Sequence, residues 1–292
     1  MVVGGYDGHL RVNSAEILSV ESSLANKNLS RLPVGLNWRP MLFLNGDHLL
    51  ICGGSNGASF KKCLKYEKDS WKEHSTLNSG RLYSSAITTA NGTFIFGGDF
   101  DNKFTFTYLP KNSKDWQEGR TKIPEGFKYG CVVEVPGKQE VLLIGGLETQ
   151  TRILKFDIET QAFEEMNVSL IEKRWGHTCA KLPHTNLILI TGGLYSDTNG
   201  KSEIFDMKDN TIILGNPMNT KRSYHGMAVI TIANEDRLTV FGGRDENLNR
   251  LDSVEIFNSS TRKWEIVSDL KLEEAKAAFG YVSLPYDVIS KL

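Results

Sequence analysis

The chain has little of what marks membrane, nucleic-acid-binding or metal-binding proteins. Across its 292 residues the formal net charge is only −1, so no global field attracts nucleic acid or an anionic membrane. No apolar run approaches the length of about 18 residues that a membrane-spanning helix needs. With a hydrophobic fraction of 40%, we expect a soluble protein with a substantial core that binds neither nucleic acid nor membranes.

The sequence also lacks the short motifs of the common enzyme classes. It contains no GxSxG nucleophile elbow, no HExxH zinc motif, no GxxxxGK[ST] phosphate loop and no GxGxxG at the start of a helix. Residues Asp99 to Asn102 begin like a calcium-binding loop but lack its glycine and distal glutamate, which indicates a solvated turn. We therefore predict no catalytic residues, no cofactor and no metal site.

Cysteines are few, and their arrangement leaves two interpretations open. The four are Cys52, Cys63, Cys131 and Cys179. None lies in a CxxC motif and no histidine lies at zinc-finger spacing, so a structural metal is not expected. The preferred interpretation is buried free thiols. The alternative is disulfide pairing, which would favour an extracellular protein; Cys52 and Cys63 flank one loop on adjacent strands, where a cross-strand disulfide is geometrically conceivable.

Glycine, in contrast, is abundant, and it recurs in pairs. Of 27 glycines, twelve form six Gly-Gly pairs at the ends of short apolar runs such as residues 93–98. The first glycines of successive pairs are 49, 44, 48, 47 and 50 residues apart. This period is typical of propeller arrays with about four strands per repeat. Each pair therefore marks the end of one strand in one repeat, where glycine lets another backbone approach closely.

Each glycine pair has the same place in a longer pattern. A hairpin precedes it, and Asn91-Gly92, the clearest turn, predicts a type I′ geometry. After the pair comes a strand that ends in an aromatic and a polar residue, and then a large apolar residue, as in Phe257-Asn258 and Trp264. Double glycine, Tyr/Phe-Asp and Trp at this spacing resemble the kelch repeat. The resemblance covers essentially the whole chain.

The resemblance implies an all-β fold, a six-bladed β-propeller of kelch type, formed by a single domain over residues 1–292. The expected blades are approximately residues 1–35 plus 275–292, 36–78, 79–122, 123–170, 171–218 and 219–274. The chain begins in what should be the second strand of a repeat, and residues 276–284 look like a first strand. We therefore predict that the C-terminal segment supplies the innermost strand beside Val2 and Val3 and closes the ring, which removes an unpaired edge.

A candidate binding rim follows from the residues just before each inner strand. A basic residue recurs there, usually with an aromatic neighbour, on the same side as the loops after the glycine pairs. Arginine and aromatic residues are enriched in binding hot spots, so we predict a partner-binding rim. Its residues are Arg39, Arg81, Tyr83, Lys128, Tyr129, Arg174, Trp175, Arg222, Tyr224, His225 and Lys276, with the loop residues Tyr6, Phe60, Phe100 and Tyr195. The alternative is that the basic residues hydrogen-bond neighbouring carbonyls or pack along the next blade.

His177 and His225 occupy similar places near the starts of inner strands. Neither has a carboxylate or thiolate at a spacing that completes a metal site. Some propeller enzymes with kelch-like repeats use a copper centre of Tyr and His ligands, but nothing here assigns those roles. A core or channel-lining position is the preferred interpretation for both histidines.

The resemblance implies a protein-interaction module that binds a peptide or loop of a partner. In kelch-like proteins this is often the substrate-recruiting part of a ubiquitin-ligase adaptor built on a cullin scaffold. Six converging cations would suit an acidic or phosphorylated segment. We expect a monomeric propeller without enzymatic activity.

Two alternatives stay open: an extracellular or matrix kelch protein, and a kelch-type carbohydrate-active enzyme. A cytoplasmic location is expected, with an extracellular one as the alternative. Glycosylation sequons do not decide the compartment, because about three are expected by chance. They begin at Asn28, Asn91, Asn167 and Asn258.

Overall fold

The protein is almost entirely β-structure. The computed structural model describes residues 1–19, 29–194, 200–232 and 235–289. The few helical residues within these ranges include a 3-10 segment, Phe100–Phe104, and one α-helical turn, α1 (Tyr286–Ile289). Neither is long or apolar enough to cross a membrane. The predicted all-β class is confirmed.

Six small antiparallel sheets form the blades, and five of them have four strands in sequence order. Blade 2 contains β3 (Met41–Asn45), β4 (His48–Cys52), β5 (Lys62–Glu67) and β6 (Ser70–Thr76). Blade 3 contains β7 (Ser85–Thr89), β8 (Gly92–Phe96), β9 (Phe106–Pro110) and β10 (Gln117–Glu118). Blade 4 contains β11 (Cys131–Val135), β12 (Glu140–Gly146), β13 (Gln150–Asp157) and β14 (Phe163–Glu165). Blade 5 contains β15 (Thr178–Lys181), β16 (Leu187–Thr191), β17 (Ser202–Asp206) and β18 (Thr211–Gly215). Blade 6 contains β19 (Gly226–Ile232), β20 (Glu235–Phe241), β21 (Ser253–Asn258) and β22 (Lys263–Lys271).

Blade 1 is built from both ends of the chain, and it closes the ring. Its strands are β1 (Val2–Val3), β2 (Ala15–Glu16) and β23 (Gly280–Tyr281), with β1 in the middle. Val2 lies opposite Tyr281, and Val3 lies opposite Gly280. The predicted six-bladed propeller with its C-terminal inner strand is thus confirmed. Residues 20–28, which follow β2, lie outside the described ranges.

An apolar core fills each junction between neighbouring blades. Between blades 3 and 4, the Phe156 ring lies 5.0 Å from Phe96 and 4.9 Å from Phe106, centroid to centroid, in edge-to-face contact. At the closing junction, Phe241 of blade 6 stacks on Phe279, just before β23, at 5.9 Å. The junction between the chain termini is therefore packed like the others.

The glycine pairs fasten each blade to the next. The second glycine donates its amide proton to a carbonyl just before the next inner strand, with N···O distances of 2.7–3.1 Å. The pairs are Gly5 to Leu36, Gly54 to Arg81, Gly98 to Phe127, Gly146 to Arg174, Gly193 to Arg222 and Gly243 to Lys276. A Cβ on the first glycine would lie 1.8–3.2 Å from the same oxygen, and both glycines have positive φ in every pair. Close backbone approach therefore explains why these strands end in Gly-Gly.

The hairpin at Asn91-Gly92 is present, but its turn is not the expected type I′. Thr89 pairs with Gly92, so the two loop residues are Ala90 and Asn91, and neither has positive φ. The left-handed residue is Gly92, at φ +138, where a Cβ would lie 2.2 Å from the Leu109 carbonyl oxygen of the next strand. The glycine is thus required by contact with β9 rather than by a mirror-image turn.

Candidate protein-binding face

The segments before the inner strands and the loops after the glycine pairs lie on one face of the ring. Isolated antiparallel bridges join the two sets: Tyr6 to Ala277, Asn37 to Ser55, Trp175 to Leu194 and Ser223 to Arg244. We call this surface the glycine-pair face. Hairpin turns such as Ala90-Asn91 lie at the opposite ends of the strands and hence on the opposite face.

A closed ring of backbone hydrogen bonds surrounds the channel on the glycine-pair face. Each blade contributes one residue except blade 2, which contributes Trp38 as the acceptor and Arg39 as the donor, and N···O distances are 2.8–3.1 Å. The donors and acceptors are Tyr83 to Trp38, Tyr129 to Tyr83, Gly176 to Tyr129, Tyr224 to Gly176, Ala278 to Tyr224 and Arg39 to Ala278. These positions share a left-handed backbone, with φ of 53–65°. Non-glycine residues adopt it at a cost of about 1–2 kcal/mol each, so the ring is a strained arrangement that the blades hold in place.

Aromatic side chains from five blades form a collar on this ring. The aromatic collar consists of Trp38, Tyr83, Tyr129, Trp175 and Tyr224. Consecutive rings have centroids 5.3, 4.2, 5.2 and 6.0 Å apart. Trp38 is 40% exposed and the other four are half-buried. Burial raises the pKa of Tyr224 to about 12, partly offset by Arg244 and Arg39, so its hydroxyl is a neutral hydrogen-bonding group at neutral pH.

Two cations lie against the aromatic collar. Lys128 Nζ lies 5.2 Å from the Tyr83 ring centroid and 5.1 Å from that of Tyr129, and it forms an ion pair with Asp99. The guanidinium carbon of Arg244 lies 4.9 Å from the Tyr224 centroid. Such cation–π contacts hold a long side chain flat on a ring.

Arg244 was missed in the sequence, although it directly follows the sixth glycine pair. The signal was available, because Arg244 has the same place directly after a Gly-Gly pair as Tyr6, which was predicted to bind a partner. Its Nε donates to Ser223 Oγ at 3.4 Å, which ties it to the segment before β19.

Arg39 points into the central channel. A cavity of about 220 Å³ lies there, lined by residues of the inner strands that include Ser85, Cys131 and Tyr281. The Arg39 guanidinium donates to the carbonyl oxygen of Gly130 at 3.3 Å. Burial lowers its pKa, with Tyr281 the largest opposing influence. Because arginine stays protonated at neutral pH, the channel contains a cation for which the described residues form no ion pair with a carboxylate.

The other predicted arginines lie inside the blades, which corrects their assignment to a partner-binding surface. Exposure does not exceed 1% for any of Arg81, Arg174, Arg222 and Lys276. Arg174 donates from Nη1 to the carbonyls of Gly192 and Lys201, at 2.9 and 3.1 Å, and from Nη2 to Glu203 at 2.7 Å. Arg222 makes the same contacts in blade 6. These arginines bind the carbonyl of the first glycine in their own blade, which is the structural alternative that the sequence left open.

Acidic partners of the buried cations occupy one repeated position that sequence reasoning missed. The pairs are Arg174 with Glu203, Arg222 with Glu255 and Lys276 with Glu16. In blades 2 and 4 the equivalent positions are apolar on both sides, Leu36 with Leu64 and Phe127 with Leu154. In these five blades the two buried positions are thus filled by a matched ion pair or by two apolar side chains. The recurrence of Glu-Ile-Phe/Leu at 16–18, 203–205 and 255–257 was the available signal.

His177 and His225 are buried between neighbouring inner strands. Nε2 of His177 hydrogen-bonds the Ile144 carbonyl at 3.1 Å, and Nε2 of His225 bonds Thr178 Oγ1 at 2.8 Å. Burial, followed by the adjacent arginines, holds both pKa values well below the usual range, so both rings are neutral. The assignment of His225 to partner binding is therefore corrected. The described residues include no group of three or more His, Cys, Asp or Glu side chains placed to hold a metal ion.

The predicted loop aromatics differ in their surroundings. Phe100 is 75% exposed at the start of the 3-10 segment. Tyr6 is half-buried with Arg250 at 5.0 Å from its ring centroid, and Phe60 packs partly against the core shared by blades 1 and 2. Tyr195 lies outside the described residues. Among the three that the structure describes, Phe100 is the most exposed.

Comparison with known proteins points to one repeat type. A kelch motif model matches residues 234–271, which cover most of blade 6. A RING finger domain and kelch repeat-containing protein of Dictyostelium discoideum is 24% identical over 217 residues, 73% of this chain and 21% of that protein. A kelch repeat-containing protein of the same organism is 24% identical over 157 residues, 52% of this chain and 23% of that protein.

The chain thus spans less than a quarter of the length of either relative. The family match falls on one of six repeats that share the same glycine pairs, the same left-handed residue and the same junctions. The chain is therefore a six-bladed β-propeller whose sixth blade matches a kelch motif, and it is similar to kelch-repeat proteins, whose propellers generally serve as protein-interaction modules.

Proposed function

We propose that the aromatic collar binds a segment of another protein. The collar is the observation that carries this proposal, because five adjoining aromatic side chains stay accessible at the channel mouth instead of packing between blades. Aromatic residues bury large areas at low conformational cost, so they dominate binding hot spots. The collar is also held by a hydrogen-bonded backbone ring, and preorganisation of this kind reduces the entropic cost of binding.

The partner segment is proposed to carry a carboxylate. Arg39 in the channel and Arg244 on Tyr224 are cations for which the described residues supply no ion pair. A carboxylate that binds them would complete charge-assisted hydrogen bonds in a partly desolvated site. We therefore keep the proposal of an acidic partner, but Arg39 and Arg244 replace the buried arginines as the residues that bind it.

A peptide-display selection on the immobilised propeller tests both parts of the proposal. Selected peptides should contain Asp or Glu, and Trp175→Ala should weaken their binding at least about tenfold, because a hot-spot aromatic contributes about 2 kcal/mol or more. Ile266→Ala is the matched control, since Ile266 is 61% exposed on β22, far from the collar. Equal affinity for both variants, each with a wild-type melting temperature, would contradict the collar as the site.

A second candidate function, the recruitment of substrates for ubiquitin transfer, requires a cytosolic chain with reduced cysteines and is incompatible with an oxidising compartment. The name of one relative combines a RING finger domain with kelch repeats, but this chain matches only 21% of that protein. The full-length protein should then co-purify with ubiquitin-ligase subunits and promote ubiquitination of the collar-bound partner. A collar-bound partner that is not ubiquitinated, and whose cellular half-life is the same with Trp175→Ala, would contradict this role while leaving binding intact.

A further inference from the structure

All four cysteines of the sequence form disulfides. Cys131 on β11 is bonded to Cys179 on β15, which joins the innermost strands of blades 4 and 5 across 48 residues of sequence. Cys52 on β4 is bonded to Cys63 on β5, directly opposite it in blade 2. The free-thiol interpretation of the sequence is therefore wrong.

Complete pairing favours the extracellular alternative over the cytoplasmic expectation. Glutathione and thioredoxin keep thiols reduced in the cytosol, whereas structural disulfides persist in secreted and membrane-enclosed oxidising compartments. Each bond forms when two thiols pass two electrons and two protons to a disulfide oxidant, which is reduced to a dithiol. Cys131 and Cys179 are at most 8% exposed, so once formed their bond is shielded from attack by external thiols.

One glycosylation sequon is well placed for modification in such a compartment. Asn167 begins the sequon Asn167-Val168-Ser169 in the connection between β14 and β15, and both its side chain and that of Ser169 are exposed. Of the other three sequons, two have an asparagine side chain that already forms hydrogen bonds. Asn91 donates its amide to Gln139, Asn258 accepts the amides of residues 260 and 261, and Asn28 lies outside the described residues.

We propose that the chain folds in an oxidising, glycosylating compartment and carries an N-linked glycan at Asn167. In the transfer, Nδ2 of Asn167 forms a bond to the anomeric carbon of a lipid-pyrophosphate-linked oligosaccharide. The bond from that carbon to the pyrophosphate oxygen breaks, the lipid pyrophosphate leaves, and the amide nitrogen loses one proton. The Ser169 hydroxyl completes the acceptor sequence.

Mass mapping of the natural protein, isolated from its source with an antibody, tests the proposal. The sample is alkylated without reduction, digested, and treated with peptide N-glycosidase F in water enriched in ¹⁸O. We expect linked peptides that contain Cys131 with Cys179 and Cys52 with Cys63, together with Asn167 converted to ¹⁸O-labelled aspartate. Four alkylated cysteines would overturn the compartment, and unlabelled Asn167 in a disulfide-bonded sample would overturn the glycan.

Secreted expression with substituted sequons provides an independent check of the acceptor. Ser169→Ala leaves Asn167 in place but removes the hydroxyl, so the glycosidase-sensitive mobility shift should disappear. Ser169→Thr keeps the hydroxyl and should retain the shift. A shift that persists in Ser169→Ala would place the glycan elsewhere and overturn the assignment to Asn167.

Discussion

Substitution of Arg174 by alanine should strongly destabilise the propeller. The side chain is fully buried, and its loss removes two hydrogen bonds to carbonyls and one to Glu203. It also leaves the buried Glu203 carboxylate without a cation. Removing one partner of a buried ion pair costs about 3–5 kcal/mol. At about 2–4 °C per kcal/mol for domains somewhat smaller than this one, the melting temperature should fall by roughly 6–20 °C.

The chain itself provides the compensating variant. Leu36 and Leu64 occupy the positions of Arg174 and Glu203 in blade 2. Replacing both residues of blade 5 by leucine removes the uncompensated charge, so the double variant should regain at least about 1 kcal/mol relative to Arg174→Ala. The carbonyl groups that Arg174 binds lose their donor in both variants, which is why full recovery is not expected.

Urea unfolding midpoints, followed by tryptophan fluorescence, measure these differences. Arg237→Ala is the control because the Arg237 and Glu235 side chains form an exposed pair on β20, and such pairs contribute about 0–1 kcal/mol. If Arg174→Ala and Arg237→Ala shift the midpoint equally little, Arg174 does not hold the blade together. The argument from burial would then be refuted.

Further predictions concern the glycine pairs, the histidines and ring closure. Gly97→Ala should lower the free energy of unfolding in urea by at least about 2 kcal/mol more than Gly137→Ala. Both glycines have positive φ, but of the two only Gly97 would place a Cβ against a carbonyl oxygen, at 1.8 Å. Equal decreases would show that backbone strain alone matters. The pKa values of His177 and His225 in the folded protein lie well below 6.5. Below about pH 6.5 the unfolded chain binds protons at these histidines and the folded protein does not, so the free energy of unfolding falls as the pH is lowered; above about pH 6.5 this loss is absent. The free energies of unfolding from urea titrations at pH 7.5 and 5.0 should therefore differ by up to about 1.4 kcal/mol for each pH unit and each histidine. His177→Gln should reduce the difference. Deletion of residues 275–292 should produce aggregation in size-exclusion chromatography because β1 loses its partner; a monomeric truncated chain with an unchanged melting temperature would disprove the closure.

The fold was predictable because its signal is repeated. Gly-Gly recurs at a constant period, and glycine there has a specific backbone reason that no other residue satisfies. The offset between the termini then determined which strands must pair. The Asn91-Gly92 turn type was wrong because turn statistics describe an isolated hairpin, whereas Gly92 is fixed by contact with a third strand.

The site was only partly predictable because a repeated residue type need not occupy a repeated position. The structural equivalent of Arg81 is Leu36 in blade 2 and Phe127 in blade 4, as their common hydrogen bonds to glycine amides show. Arg39 and Lys128 lie three and one residues further along the chain, which directs them to the channel and the collar. Sequence alone shows neither this offset nor the direction of a side chain.

Cysteine pairing was undetermined for a related reason. Cys131 and Cys179 come together because β11 and β15 are innermost strands of neighbouring blades. The spacing of 48 residues is one repeat. A repeat places equivalent positions in neighbouring blades, but the sequence does not give the distance between the two side chains. Four cysteines allow three pairings, and composition does not choose among them.

Hydrogen–deuterium exchange of the propeller with and without a selected peptide tests the central claim most directly. The account predicts slower exchange in the amides of residues 37–39, 82–84, 128–130, 175–177 and 223–225, which surround the aromatic collar. Trp175→Ala should abolish the change at the same peptide concentration. Protection confined to residues 45–48 and 89–92, on the opposite face, would contradict the assignment of the glycine-pair face as the binding surface.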